Sequence, residues 1–475
     1  MAGFTTSNQK PLFWRLLPGE RRVILLLGDG IATIVALMAA LYFWAQRDWL
    51  AFSWEFLKTR PPFWFYLLPV FWMILLIELY DVRRAAHIKG TLTGLGIAAG
   101  LSLAAYLLVY FTSAPNSLPR RGVAAFIIVC FILTLIWRLF YIRIFTAPLF
   151  MRRVIIVGAG RAGSTMAQIV KSIWPLPFYV VGYIDDDPQK IGTEIEDHPV
   201  LGGAGQLMEM IKRESVTDLV FAISGEMNIE MLEALLQATE MGVEISTMPS
   251  IYEELQGRVP ILLLQSDWVL RSFADQSHSS GTYEVAKRVL DFLIGLIGTL
   301  ILMVVFPFVA LATLLETGRP ILYPQARLGK NGHPFNMLKF RTMRQDAEKD
   351  GVARPASLND GRVTKVGNFL RKSHLDELPQ FINILLGVMS MVGPRAERSE
   401  LVDMLQTKVP FYRTRLMVKP GLTGWAQVNF GYASTVEDMR IKLEYDLYYI
   451  KHRNLLLDLV IIFRTVGAVI GFKGR

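Results

Sequence analysis

The sequence predicts a three-part membrane protein. An α-helical bundle occupies residues 1–150, and a Rossmann-like α/β domain occupies 151–250. Beyond a linker at 251–282, a C-terminal part (283–475) opens with a re-entrant membrane helix at 286–316. Three observations predict this. Four apolar runs crowd the first third of the chain. A strand–glycine loop–helix pattern follows them. A fifth apolar run carries cations at both ends and Pro307 inside it. Composition agrees, since 52% of the 475 residues are apolar, which is high for a soluble protein. The net charge of +9 suits nucleic acid or an anionic membrane surface, and the apolar runs decide for the membrane. A lipid bilayer is therefore the expected partner, and nucleic acid is not. The single cysteine, Cys130, lies in an apolar run, so neither a disulfide framework nor a cysteine metal cluster is expected. No short apolar core with a small-residue cleavage site opens the chain, so no cleaved signal peptide is expected.

The four runs lie at 23–45, 63–80, 91–111 and 122–142, each near the ~20 residues that span a bilayer core. Cations orient them. Lys10, Arg15, Arg21, Arg22, Arg83, Arg84, Lys89, Arg138, Arg143, Arg152 and Arg153 flank one side; Arg47, Lys58, Arg60, Arg120 and Arg121 flank the other. The larger set marks the cytoplasm, so both ends of the bundle should face it. Trp44, Trp49, Trp54, Trp64 and Trp72 suit interfacial anchors. Asp29 and Glu78, in or at the ends of runs, are either functional or paired.

The α/β domain begins with a buried-strand pattern at 153–158. Gly158-Ala-Gly160-Arg-Ala-Gly163 then opens a helical stretch, and a second strand at 179–184 ends at Asp185. Further strands at 218–224 and 243–248 alternate with helices. Gly158, Gly160, Gly163 and Asp185 form a candidate regulatory nucleotide site, because the glycines open a helix N-terminus to phosphate. A lone fingerprint is weak evidence for a redox cofactor.

The fifth run, 289–315, is long enough to span. Pro307 removes a backbone hydrogen bond and bends the helix there. Lys287 and Arg288 precede the run, and Arg319, Arg327 and Lys330 follow it, which places both ends on the cytoplasmic face. A helix–break–helix satisfies both constraints. Tyr283 and Lys287 also fit a dehydrogenase Tyr-x-x-x-Lys pair, a chance match without a second glycine fingerprint.

The most informative segment is 373–395. Adjacent carboxylates Asp376 and Glu377 stand before Pro379 and an apolar run, with Arg371, Lys372, Arg395 and Arg398 around them. A carboxylate can attack phosphorus or hold a metal, and cations neutralise phosphate oxygens. The alternative is plain helix capping, since Ser373-x-x-Asp376 fits a capping box.

This segment resembles the signature of the bacterial sugar transferases, the large monotopic polyprenyl-phosphate phosphoglycosyl transferases of exopolysaccharide type. Further matching blocks follow the family's order: Lys287-Arg288, Gln325-Ala-Arg327-Leu-Gly329, Lys339-Phe-Arg341-Thr-Met343, Arg362 to Gly367 and Lys419 to Val428. The resemblance covers 283–475 and implies a mainly α monotopic catalytic domain on the cytoplasmic face of a bacterial plasma membrane. It implies transfer of a sugar-1-phosphate from a UDP-sugar to undecaprenyl phosphate, with UMP leaving, and a homodimer. By the same resemblance, Asp376 is the nucleophile and a ligand of Mg²⁺, and Glu377 is the acid/base partner. Arg371, Arg395, Lys339 and Arg341 bind substrate phosphates, and Lys287, Arg288 and Pro307 serve the membrane and lipid-phosphate side. The chain departs from the family at Val388, usually Asp, at Ala396, usually Pro, and at Phe306, often Ser. Trp425 suits uracil stacking or core packing. A decayed scaffold and a nucleotide-sugar dehydratase are the competing functional readings.

Overall fold

The computed structural model describes residues 18–80, 85, 88–112, 119–145, 151–173, 176–223, 225, 227–263, 281–344, 347, 360–431 and 435–470. Lys10, Arg15, Arg83, Arg84 and most of the expected loop at 277–281 lie outside the described residues. The chain divides into two compact units, 1–246 and 247–475.

In the first unit, α1 (Pro18–Ala45), α2 (Trp54–Thr59), α3 (Leu68–Leu75), α4 (Ile88–Thr112) and α5 (Arg120–Phe145) form the apolar bundle. Three of the four expected runs become helices long and apolar enough to cross a membrane, namely α1, α4 and α5. The second does not. Its residues fold as a 3₁₀ turn (Phe63–Leu67), α3 and another 3₁₀ turn (Ile77–Tyr80). Pro62 and Pro69 explain the restarts, since each lacks the N–H a continuing helix needs and stands at the start of one of these pieces. Helix α1 packs on α5 through Gly28, where a Cβ would lie 2.0 Å from the Trp137 ring. Asp29 is paired. Arg138 donates to it through Nη2 at 2.5 Å and Nε at 3.3 Å, and to the Leu79 carbonyl at 2.6 Å. Arg138 is fully buried, so it belongs to the bundle's interior and drops out of the flanking-charge count.

The Rossmann-like part follows. It comprises β1 (Arg153–Val157), α6 (Arg161–Ser172), β2 (Tyr179–Ile184), β3 (Glu194–Ile195), β4 (His198–Gly202), α7 (Ala204–Arg213), β5 (Asp218–Phe221), α8 (Ile229–Glu240) and β6 (Glu244–Thr247). The sheet order is β3-β4-β2-β1-β5-β6. Strand β1 lies parallel to both β2 and β5. The chain thus winds in opposite directions from β1, and the glycine loop emerges at that switch point.

The second unit contains α9 (Met248–Gln256), α10 (Gly281–Thr317), the antiparallel hairpin β7 (Leu322–Leu328) and β8 (Pro334–Phe340), α11 (Lys365–Lys372) and α12 (Gln380–Leu386). Strand β9 (Ser390–Val392), α13 (Ser399–Gln406), β10 (Gly421–Thr423), α14 (Trp425–Asn429), α15 (Val436–His452) and α16 (Leu455–Ile470) complete it. Helix α10 runs 37 residues with Pro307 inside it, so the expected break is not a gap between two helices; Pro307 lacks the N–H that a straight helix needs there and remains the place for a bend. At 1.5 Å per residue the helix is roughly 55 Å long, against about 30 Å of bilayer core. One face is buried at Asp291, Gly295, Gly298, Leu302, Val309 and Thr313. The other exposes Phe292, Leu296, Leu300, Val304, Phe308 and Leu315.

Glycines let α12 approach α10. A Cβ on Gly298 would fall 2.3 Å from the Phe381 ring. Phe306 packs against Phe340, with ring centroids 5.8 Å apart, which accounts for a large apolar residue at that position. Polar contacts hold both ends of α10 to this same unit. At the first end, Lys287 pairs with Asp458 of α16 at 3.0 Å, and the Asp291 carboxylate accepts from Ser390 Oγ at 3.0 Å and Met391 N at 2.8 Å. At the far end, the Glu316 carboxylate accepts from the backbone N–H of Lys365 and Val366. Helix α16 is part of the core of this unit through buried Asp458.

Candidate functional site

The dyad sits on a single 3₁₀ turn, Leu375–Glu377, between α11 and α12. His374 opens that turn at φ +55, a left-handed conformation uncommon outside glycine that costs on the order of 1 kcal/mol. Ser373 is the last cap of α11, and its hydroxyl donates to the Phe369 carbonyl at 2.8 Å. The capping box fitted to Ser373 and Asp376 does not form. The turn is bent to present two carboxylates.

Two cations converge on one oxygen of Glu377. Lys339 Nζ from the end of β8 lies at 2.8 Å and Arg395 Nη2 at 3.0 Å. Burial by itself would raise the Glu377 carboxyl, but Arg395 and Lys339 outweigh it and hold the group well below the usual carboxylate range. Asp376 behaves in the opposite way. Burial raises it, and the Glu377 charge adds to the rise against Lys339, Arg371 and His374. Neighbouring carboxylates thus differ in role. Glu377 is clamped and ionised. Asp376 makes no hydrogen bond or ion pair among the described residues and stands in the field of three cationic or titratable neighbours.

The scaffold behind the clamp was not legible as a site. Asn383 of α12 accepts from Leu338 N at 3.0 Å and donates to the Asn336 carbonyl at 2.9 Å. This bolts the helix after the dyad to the strand that carries Lys339. The Arg395 segment is anchored from behind, since buried Arg415 donates to the Arg395 carbonyl at 3.1 Å and to Asp446 at 2.8 Å. Glu397 collects Lys442 at 2.9 Å, Arg415 at 3.4 Å and Arg327 at 3.6 Å. Burial would raise Glu397, but Lys442 and Arg415 bring it down to about 2. Nothing local in the sequence pairs these residues, because a charge does not name its partner.

The structure brings Asp376, Glu377, Lys339 and Arg395 together, with Arg371 acting on Asp376 through its charge while its Nε donates to Thr342 Oγ1 at 2.9 Å. Arg341 is not among them. Its Nη1 and Nη2 groups donate to the carbonyls of Thr317, Gly318 and Arg319 and to Thr317 Oγ1. It caps the far end of α10 instead of facing the dyad. Lys287 is spent on Asp458 and Tyr449. Arg288 donates to the Ile384 and Leu385 carbonyls at 2.9 and 2.7 Å, capping α12. Pro307 lies inside α10. Val388 is exposed. Trp425 donates to the Gly257 carbonyl at 2.7 Å and stacks on Tyr448, with Arg464 over its ring, so it is a packing residue.

In the first unit the fingerprint residues meet at the switch point. A Cβ on Gly163 would lie 2.0 Å from the Gly158 carbonyl oxygen, whereas one on Gly160 meets nothing within 4 Å. Asp185 turns inward. Its oxygens accept from Ala159 N at 2.7 Å and Asp187 N at 2.9 Å, and Lys190 lies at 3.2 Å. Burial opposes ionisation, but these donors hold it below its ordinary value.

Among the described residues no cluster of three or more His, Cys, Asp or Glu forms a metal cage. The free carboxylate of Asp376 nevertheless suits Mg²⁺, which is bound through one or two carboxylates plus substrate phosphates and water.

Known proteins resemble both parts of the chain. Residues 282–472 match the family model described as bacterial sugar transferase, and residues 76–249 match a CoA-binding domain. The chain is 33% identical over 338 residues to the UDP-glucose:undecaprenyl-phosphate glucose-1-phosphate transferase of Escherichia coli (strain K12), covering 68% of each. It is 39% identical over 234 residues to the UDP-N-acetylgalactosamine-undecaprenyl-phosphate N-acetylgalactosaminephosphotransferase of Aeromonas hydrophila, covering 49% of this chain and 54% of that one. It is also 27% identical over 430 residues to the UDP-galactose-lipid carrier transferase of Erwinia amylovora, covering 87% and 83%. A solved structure, UDP-D-quinovosamine 4-dehydrogenase from Vibrio fischeri, matches 23% of this chain and 87% of its own at 22% identity and TM-score 0.20, too distant for any inference. With its C-terminal part fitting the family model and two thirds of the Escherichia coli relative aligned at 33% identity, the chain belongs to the bacterial sugar transferases.

Proposed function

We propose that the protein transfers a hexose-1-phosphate from a UDP-sugar to undecaprenyl phosphate, releasing UMP, and so begins a polysaccharide or other glycoconjugate on its lipid carrier. The observation that carries this reading is the asymmetric dyad, with Glu377 clamped by Lys339 and Arg395 beside an unengaged Asp376. A carboxylate oxygen of Asp376 attacks the sugar-proximal phosphorus, the phosphoanhydride bond breaks, and UMP leaves with the electron pair. An oxygen of the lipid phosphate then attacks the aspartyl phosphate and the Asp376 carboxylate is restored. Arg395, Lys339 and Arg371 offset charge on the phosphate oxygens. Mg²⁺, when bound by Asp376 and the substrate, would neutralise pyrophosphate charge. The relatives' sugars favour UDP-glucose, with UDP-galactose next.

The membrane geometry we propose is re-entrant. Lys287 and Asp291 near one end of α10, and Glu316 and Thr317 at the other, bind elements of one compact unit. A helix crossing the bilayer would leave one of these ends on the wrong side. Entry and exit by the cytoplasmic face agree with both sets of contacts and with a cytosolic UDP-sugar.

The test is incubation of purified protein with UDP-sugars, Mg²⁺ and undecaprenyl phosphate, reading UMP. Asp376→Asn should abolish turnover with the fold intact, and Glu377→Gln should lose about 10²-fold or more. Near-normal turnover by Asp376→Asn would eliminate the covalent route.

A further inference from the structure

A second cluster of charge lies in a cleft at the foot of α10. Glu284, Lys287, Arg288 and Asp291 share one helix face, and Lys330, Lys419 and Arg453 close the cleft from other elements. Most of these charges are matched. Lys287 meets Asp458 at 3.0 Å, and Arg453 meets Glu284 at 3.3 Å. Arg288 is held by two carbonyls, and Asp291 is held by Ser390 and Met391 N. Lys330 and Lys419 remain. Neither side chain forms an ion pair or hydrogen bond among the described residues, and Lys419 is half-buried.

Burial and repulsion from Arg288 and Lys330 press the Lys419 ammonium below its ordinary value, with Asp291 only partly offsetting them. Unmatched like charges in a partly closed cleft are unfavourable unless an anion joins them. The depth of the cleft indicates the anion. Beside the cleft α10 exposes Val289, and past Asp291 it exposes Phe292, Leu293 and Leu296, so the apolar belt begins at the cleft. A cleft at the start of an apolar belt suits a lipid phosphate, because basic residues at a membrane surface attract anionic headgroups.

We propose that this cleft binds the phosphate of a lipid headgroup, with Lys330 and Lys419 as its ligands. Its lining includes none of Asp376, Glu377, Lys339 or Arg395, so it is a site apart from the dyad. The phosphomonoester of a polyprenyl phosphate and the phosphodiester of a bilayer phospholipid share the required chemistry. The proposal does not depend on the transferase reading, because binding is measured without turnover.

The full-length protein in detergent is titrated with undecaprenyl phosphate, with phosphatidylglycerol, with neutral undecaprenol and with inorganic phosphate, following thermophoresis. The wild type should bind at least one phosphate-bearing lipid and not the neutral polyprenol. Lys330→Ala/Lys419→Ala should weaken that binding at least tenfold, and the paired Arg substitutions should restore it. Which of the two lipids responds identifies the source. Lys330 is exposed, so Lys330→Ala alone is expected to fold, and it should cost several-fold if the double variant does not fold. Unchanged lipid affinity in a folded variant would overturn the proposal. Sensitivity of inorganic phosphate alone would overturn the lipid assignment.

Discussion

Arg395→Ala tests the clamp most directly. The Arg395 guanidinium lies 3.0 Å from Glu377 Oε1. Two unit charges at that separation interact by about 5.5 kcal/mol at an effective dielectric of 20. The arginine side chain is 41% exposed, so solvent screening reduces this to about 2 kcal/mol. Glu377 foremost, and Asp376 to a lesser degree, raise Arg395, so part of its field acts on Asp376. Removing the cation therefore lifts the apparent pKa of the dyad. With about 1.4 kcal/mol per unit, the acid limb of the pH–kcat profile should move up by about one unit. The sign follows because the nucleophile must be ionised, and a carboxylate that loses a neighbouring cation ionises at higher pH. Loss of a phosphate-facing donor should also lower kcat by roughly 10²–10³. The assay is UMP release across pH with protein in nanodiscs. A kcat within threefold of wild type, or a large kcat loss with an unmoved acid limb, would refute the idea that Arg395 tunes the dyad.

Three further outcomes are expected. Single cysteines at Arg153, Gly281 and Lys330, in a Cys130→Ala background, should label only from the cytoplasmic side. Periplasmic labelling at Lys330 would show that α10 crosses the bilayer. Glu397→Ala leaves Arg415 buried without one of its carboxylates and should cost about 3 kcal/mol, read as a fall in unfolding temperature. In the wild type Glu397 titrates at about 2 when folded and higher when unfolded, so its contribution is full above about pH 4.5 and is lost as pH falls towards 2. Gly160→Leu should fold normally, since its backbone is extended and its Cβ meets open space. It should leave transferase turnover unchanged if the Rossmann-like part only regulates.

The sequence carried the parts of the fold that have a period or a punctuation mark. The long apolar helices, the alternating strands and helices after residue 152, and the glycine turn at 158–163 were all legible in this way. The run at 63–80 was misjudged because hydropathy measures composition and ignores where Pro62 and Pro69 restart the backbone. Asp376, Glu377 and Arg395 were legible because they share one dense, local segment, whereas Lys339, 38 residues before Glu377, came from the family resemblance alone. Arg341 lies two residues beyond Lys339, a spacing that would put both on one strand face. Strand β8 ends at Phe340, and the chain turns Arg341 towards α10. Asp291, Glu397 and Arg415 were opaque for a different reason. Asp291 finds its partners 99 and 100 residues away, and Arg415 finds Asp446 31 residues away, and a single sequence holds no record of such pairings.

The pair between Lys287 and Asp458 has a consequence for synthesis. The two residues are 171 positions apart, so at 5–20 residues per second the ribosome needs roughly 10–30 s to deliver the second after the first. Throughout that interval the base of α10 is an apolar helix with an unneutralised lysine at its mouth. A nascent segment of this kind is open to the membrane-insertion machinery as an ordinary span. Under the re-entrant geometry proposed above, the cations at its two ends would hold it on the cytoplasmic side until α16 arrives to lock it.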